Sequence, residues 1–131
     1  MGKIDRKSIK VLWVSLVKFP PLCEHLGETI PAHCGWMYSS AKALLRMMPE
    51  VRLGVMVYSY GRSYERYEID GVTYYLIPTG RIDRTSKKQI ETCRRAIRDF
   101  APDLMHIHGT EHSLAKAACV ANENGTSMVA M

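Results

Sequence analysis

The segment Ile9 to Val17, IKVLWVSLV, constrains this chain more than any other. It is almost continuously apolar and rich in β-branched side chains, with no alternation of polar and apolar positions. A strand of that kind needs cover on both faces, as in a parallel sheet flanked by helices. Cover on both faces requires helices returning between strands, and the rest of the chain supplies that pattern. Met37, Ala41, Leu44, Leu45 and Met48 form one helical stripe, stopped by Pro49. Arg52 to Tyr60 reads as a second strand. Tyr67 to Ile69 and Val72 to Ile77 flank Asp70-Gly71, a two-residue signal for a type I′ hairpin.

A further helix is expected from Ser86 to Phe100, with Ile90, Cys93, Ile97 and Phe100 on its inner side. Leu104 to His108 reads as a short strand and Ser113 to Glu123 as a helix capped by Gly125. Ser127 to Met131 begins one more strand. Lys18 to Gly35 reads as a long loop. The order of elements argues for an α/β fold: a Rossmann-like open, mainly parallel sheet with helices on both faces and one β-hairpin insertion. Residues 1–131 are expected to form a single domain. Because the last strand is followed by nothing, the expectation is that the chain is one part of a longer polypeptide.

Composition agrees with a globular domain, at 47% hydrophobic and 24% charged residues, and excludes a disordered or disulfide-stapled chain. No apolar run approaches the roughly 20 residues of a membrane span, and no small-residue cleavage site follows the first one, so a cytoplasmic location is expected. The cysteines at 23, 34, 93 and 119 are scattered and read as free, with Cys93 and Cys119 as packing residues. Most of the formal charge of +5 lies between Arg81 and Asp99, where seven basic residues face three acids. Such a face attracts anionic partners.

Ligands of open α/β sheets sit beyond the carboxyl ends of the strands. Two segments fall there. In the first, His33-Cys34-Gly35-Trp36, a glycine opens a helix whose N-terminal N–H groups suit phosphate or carboxylate, and Ser39 and Ser40 add hydroxyls. In the second, His106-Ile107-His108-Gly109-Thr110-Glu111-His112, the two histidines share one side of a strand. His108 stands last before the glycine turn, as an imidazole titrating near neutrality that orients a hydroxyl or stabilises a phosphate. Thr110 and Glu111 double as helix-capping groups. Cys23, His25, His33 and Cys34 match no recognised zinc spacing, and His106 and His108 with His112 are a comparably weak set, so no metal is expected. The chain also lacks G-x-G-x-x-G after the first strand, a P-loop and a G-x-S-x-G elbow.

The strand KVLWVS, the segment HCGWMYSSAKALL, the hairpin EIDGVTYYLIP and the stretch PDLMHIHGTEHSLA together resemble one family. They are similar to the N-terminal domain of GT-B-fold, family-4-like glycosyltransferases, the retaining, nucleotide-sugar-dependent enzymes of bacterial polysaccharide synthesis. The resemblance implies half of a GT-B fold, moving a hexose from a nucleoside diphosphate sugar to a glycan or lipid-linked acceptor. Cys34, Gly35, Trp36 and Ser39 would form the loop over the donor. His108 would be the catalytic residue facing the transferred sugar, with His106, Gly109, Thr110 and Glu111 on the acceptor side. Enzymes of this kind commonly carry two adjacent glycines where this chain has Cys34-Gly35. The extra Cβ limits how closely the backbone approaches a diphosphate. A second, C-terminal domain would hold the nucleotide, so the 131 residues alone are expected to be inactive. No metal or cofactor is implied beyond the nucleotide sugar. Peripheral contact of Arg81 to Arg98 with the inner membrane surface is expected, and nucleic acid is not. Alternatives are a non-catalytic Rossmann-like binding module or part of a sugar-nucleotide 2-epimerase.

Overall fold

The apolar run at the start of the chain becomes β1 (Ile9–Ser15), and it lies inside the sheet with neighbours on both sides. In this computed structural model the described residues are 8–32, 35–60, 63–79, 86–109, 113–123 and 125–130. The other strands are β2 (Val51–Tyr60), β3 (Glu65–Ile69), β4 (Val72–Thr79), β5 (Leu104–Ile107) and β6 (Ser127–Ala130). They form one six-stranded sheet in the order β3-β4-β2-β1-β5-β6. Every neighbouring pair is parallel except β3 with β4. That pair is the expected hairpin, and its turn residues Asp70 (φ 51°) and Gly71 (φ 80°) both take the left-handed backbone of a type I′ turn.

The period-two alternation of the strands sends their side chains into two separate cores. On one face Val11, Trp13, Val55, Val57, Tyr74 and Leu76 pack with Phe19, the cap residue before α1 (Pro20–Leu26), with Leu22 of α1, and with Met37 and Ala41 of α2 (Gly35–Met47). On the other, Leu12, Val14, Met56, Tyr75 and Met105 pack with Cys93, Ile97 and Phe100 from α3 (Lys87–Phe100), and with Leu114 and Ala118 from α4 (Ser113–Ala121). The fold is therefore α/β, with helices on both faces of a mainly parallel sheet, as the strand and helix patterns require.

Four local expectations need correction. The stretch after β1 contains α1 rather than only loop. Pro20 and Pro21 stand in its first turn, where a missing N–H costs nothing, and Gly27 (φ 69°) caps it by donating back to Cys23 and Glu24. The stripe on α2 loses one member: Met37 and Ala41 are buried and Leu44 and Leu45 pack against the same core, while Met48 lies past the helix end and is exposed. Helix α4 stops at Ala121, where the Asn122 and Glu123 N–H groups turn back to the Cys119 and Ala121 carbonyls, and the Asn122 side chain holds the next turn, accepting from Thr126 N–H and donating to Thr126 C=O. Gly125 (φ 63°) belongs to the turn beyond it rather than to the cap. Finally, Cys93 is buried as expected, but Cys119 is exposed and packs nothing inward.

Candidate functional site

From β1 the chain runs through α1 and α2 to β2, on one side of β1 in the sheet. From β5 it runs through α4 to β6, on the other side. The two exits diverge, so the carboxyl ends of β1 and β5 flank the switch point where open α/β sheets bind ligands. The strands are held in register there, Trp13 opposite His106 and Val14 opposite Ile107, and the His108 N–H donates to the Val14 carbonyl at 2.9 Å.

Register and parity together put four rings in one cluster. His106 and His108 are two apart on the same side of β5, with ring centroids 4.0 Å apart and planes 31° from parallel. Trp13 lies 5.7 Å from His106 and 4.4 Å from His108. From the first turn of α2, Trp36 comes within 6.4 Å of His108. Trp13 is buried at 5% exposure, whereas Trp36 stands out at 61%. The cluster thus grades from a buried floor to an exposed rim, with His108 between.

Burial determines the charge of the imidazoles. It lowers the pKa of His106, and it pushes His108 down to about 4, with repulsion from His106 as a second cause. The expectation of an imidazole titrating near neutrality is corrected by this: His108 is neutral at physiological pH. A neutral ring has one donor nitrogen and one acceptor, which suits holding a hydroxyl and gives no cationic charge to a phosphate. The Nε2 of His106 is buried with no hydrogen-bond partner among the described residues.

The remaining sequence candidates divide. Gly35 opens α2, and a Cβ built there would meet nothing within 4 Å, so neither crowding nor a left-handed backbone demands glycine. The space beside the helix N-terminus is open. Gly109, by contrast, has φ 83° and is needed by the turn after β5. Ser39 is exposed on α2, three residues on from Trp36, while the Ser40 hydroxyl is taken by the Trp36 carbonyl at 2.8 Å. Cys34, Thr110 and Glu111 lie outside the described residues, as do His33 and His112.

Three residues of this edge escaped the sequence reading. Trp13 forms the floor, and only its register against His106 shows that. Ser15 ends β1 fully buried, its hydroxyl accepting from the Val17 N–H and donating to the Val17 carbonyl, which fixes the bend into the following loop. Ser59 is also fully buried near the end of β2, with its hydroxyl unbonded among the described residues. A serine at an inward position of an apolar strand is the signal by which the sequence could have shown both serines.

Of the four spaced zinc candidates, Cys23 is buried in α1 with its thiol 3.6 Å from the Lys18 carbonyl, and His25 is exposed against the Tyr67 ring. Among the described residues no three His, Cys, Asp or Glu side chains converge as a metal site. The basic face of α3 is partly neutralised. Arg94 pairs with Glu91 and Glu123, Arg98 pairs with Glu123, and Arg95 lies over the Tyr64 ring at 4.4 Å. Arg81 and Arg84 are outside the described residues.

Among the described residues, concavities of about 370 Å³ and 410 Å³ lie at the amino edge of the sheet and along α3, not at the carboxyl edge. Three segments that follow β2, β4 and β5 at the carboxyl edge (61–62, 80–85 and 110–112) are outside the described residues.

Compared with family models, with curated proteins and with solved structures, the chain has no significant match. No helix among the described residues is long and apolar enough to cross a membrane.

Proposed function

We propose that the chain is the acceptor-side domain of a retaining glycosyltransferase, moving a hexose from a nucleoside diphosphate sugar to a glycan or lipid-linked acceptor in the cytoplasm. The observation that carries this reading is the ring cluster of Trp13, His106, His108 and Trp36 at the switch point of the sheet. An exposed aromatic face suits the apolar C–H side of a pyranose. A neutral His108 beside it suits a sugar hydroxyl, since it donates and accepts without carrying charge. The open space at Gly35 suits an oxygen-rich group approaching the N–H groups of α2. Motif similarity, set out from the sequence, supplies the reaction type. A second Rossmann-like domain holding the nucleotide is part of the same reading.

The deciding experiment is a transfer assay on the full gene product with His108→Ala and Trp36→Ala. Loss of a group that orients the reacting sugar is expected to lower kcat/KM at least about hundredfold for His108→Ala, with the circular dichroism spectrum kept. Removing the rim ring is expected to raise acceptor KM more than it lowers kcat. Unchanged transfer by His108→Ala would overturn the reading.

A further inference from the structure

The amino edge of the sheet, remote from the ring cluster, holds an arrangement that the transferase reading leaves unused. Helix α3 ends at Phe100, where Ala101 turns into the left-handed region (φ 51°) and donates back to the Ile97 carbonyl. The Phe100 ring drops onto the sheet at Gly54, close enough that a Cβ there would lie 3.0 Å from two ring carbons. Beyond that ring no helix among the described residues covers this face. A cleft of about 370 Å³ remains, within the range of small-ligand sites, with Phe100 and Tyr75 among its walls.

The polar groups around it are placed rather than scattered. Lys10 and Arg52 are register partners on β1 and β2, so their side chains leave the same face side by side. Neither cation has an ion-pair partner among the described residues. Like charges held adjacent repel, and a dianion between them removes that repulsion. The backbone under Lys10 is fixed from both sides: its N–H donates to the Asp103 carboxylate at 2.9 Å, and its carbonyl accepts from the Asp103 N–H at 2.7 Å. Across the cleft, Arg66 is oriented by two carboxylates, its Nε on Asp99 at 3.0 Å and one Nη on Glu68 at 2.8 Å. Asp99 is held in turn by the Tyr75 hydroxyl at 2.6 Å. With Tyr75 as a further side-chain partner, Arg66 still has more N–H donors than these three partners use, and Thr73 adds a hydroxyl to the lining.

We infer that this cleft is a second binding site, taking a small ligand that carries a phosphoryl group between Lys10, Arg52 and Arg66. Two unpaired cations and one pre-oriented guanidinium suit a compact dianion. The two acids are already engaged by Arg66, which lessens their repulsion of it. The aromatic walls offer an apolar surface to whatever is esterified to the phosphoryl group. Along β1, Lys10 lies three residues before Trp13, roughly 10 Å of extended chain, and the odd spacing sends the two side chains to opposite faces of the sheet. A ligand there is an effector or a second substrate of the fold rather than the occupant of the carboxyl edge.

The test is isothermal titration of the chain with inorganic phosphate and, separately, with glucose 1-phosphate, followed by amide chemical-shift mapping. Saturable binding is expected, weakened about tenfold by Arg52→Gln and lost in the Lys10→Gln, Arg52→Gln double variant. Lys88→Gln on α3 is expected to leave it unchanged. Shifts are expected to centre on Arg52, Thr73 and Tyr75. Equal affinity for both probes identifies the phosphoryl group alone as the ligand; tighter binding of the sugar phosphate adds the ester group. Arg52 is exposed and Lys10 half-buried, so both variants are expected to keep the wild-type urea midpoint. No saturable binding of either probe up to about 10 mM, binding that survives the double variant, or shifts centred on Gly35 and His108 would each overturn the inference. None of these outcomes depends on whether the chain transfers sugars.

Discussion

Between two tryptophans a histidine ring gives up much of its hydration, and the imidazolium form suffers most. For His108 the consequence is thermodynamic as well as chemical. The unfolded chain protonates this ring near 6.5, while the folded chain resists protonation until about 4. As pH falls through that window the unfolded state binds more protons, so stability is complete above 6.5 and declines towards 4. His106 shifts in the same direction and adds to the slope. The full effect of His108 is at most about 3 kcal/mol, and solvent reaching its half-buried ring reduces it. We expect the urea midpoint to fall from about pH 6.5 to about pH 5, and His108→Gln to flatten that slope. Parallel slopes for both proteins would mean that the ring is hydrated in the folded state. The sequence showed that the two histidines share a side of the strand. It did not show their protonation state, because that depends on Trp13 and Trp36, which come from elsewhere in the chain.

Among the elements, the contact that most depends on one residue is α3 against β2. Gly54 sits inside a strand, where glycine normally weakens pairing, and here it admits the last ring of α3 to within van der Waals distance of the backbone. A methyl group there would meet Phe100 at 3.0 Å and Leu12 at 3.1 Å, in a core with little room to yield. Gly54→Ala is expected to cost about 1–3 kcal/mol by urea denaturation. Adding Phe100→Leu should recover part of that loss, a coupling that a double-mutant cycle isolates. Additive effects would place the cost in the backbone instead. The elements themselves were legible wherever one local signal dominated: the apolar β-branched runs of β1 and β2, the Asp70-Gly71 turn, and the inner stripe of α3. Helix α1 was not, because Pro20-Pro21 reads as a breaker unless Gly27 is taken with it as the matching C-terminal signal. The end of α4 was missed because the chain turns at Asn122, whose side chain braces the turn against Thr126, while the more conspicuous Gly125 lies inside that turn.

For the whole molecule, the two halves of the candidate site stand on ground of unequal stability. β1 has helices packed over both faces and a hydrogen-bonded neighbour on each side, and Leu12 and Val14 are fully buried. β5 is four residues long and separates β1 from β6, an edge strand whose Ser127 and Val129 are exposed. His106 and His108 therefore sit one strand from the free edge, whereas Trp13 sits in the most protected strand. This explains why neither site peptide reveals the site by itself. Spacing in the sequence places HIHG at a strand end, but only the pairing of Trp13 with His106 turns it into a cluster. It also predicts how the molecule opens. Amide exchange should be slowest at Leu12, Trp13, Val14 and Val55, where opening requires global unfolding, and fastest in β6, where loss of a few edge bonds suffices. A ligand spanning the switch point touches the floor of β1 and the end of β5. Because such a ligand binds only the folded state, it should raise the global limit and so slow exchange in β1, and it should slow β5 as well, since opening β5 breaks the site. Equal protection of β6 and β1 in the free chain would show that the edge is covered in solution. Slowing in β1 without slowing in β5 on adding a nucleotide sugar would show that it binds away from this junction.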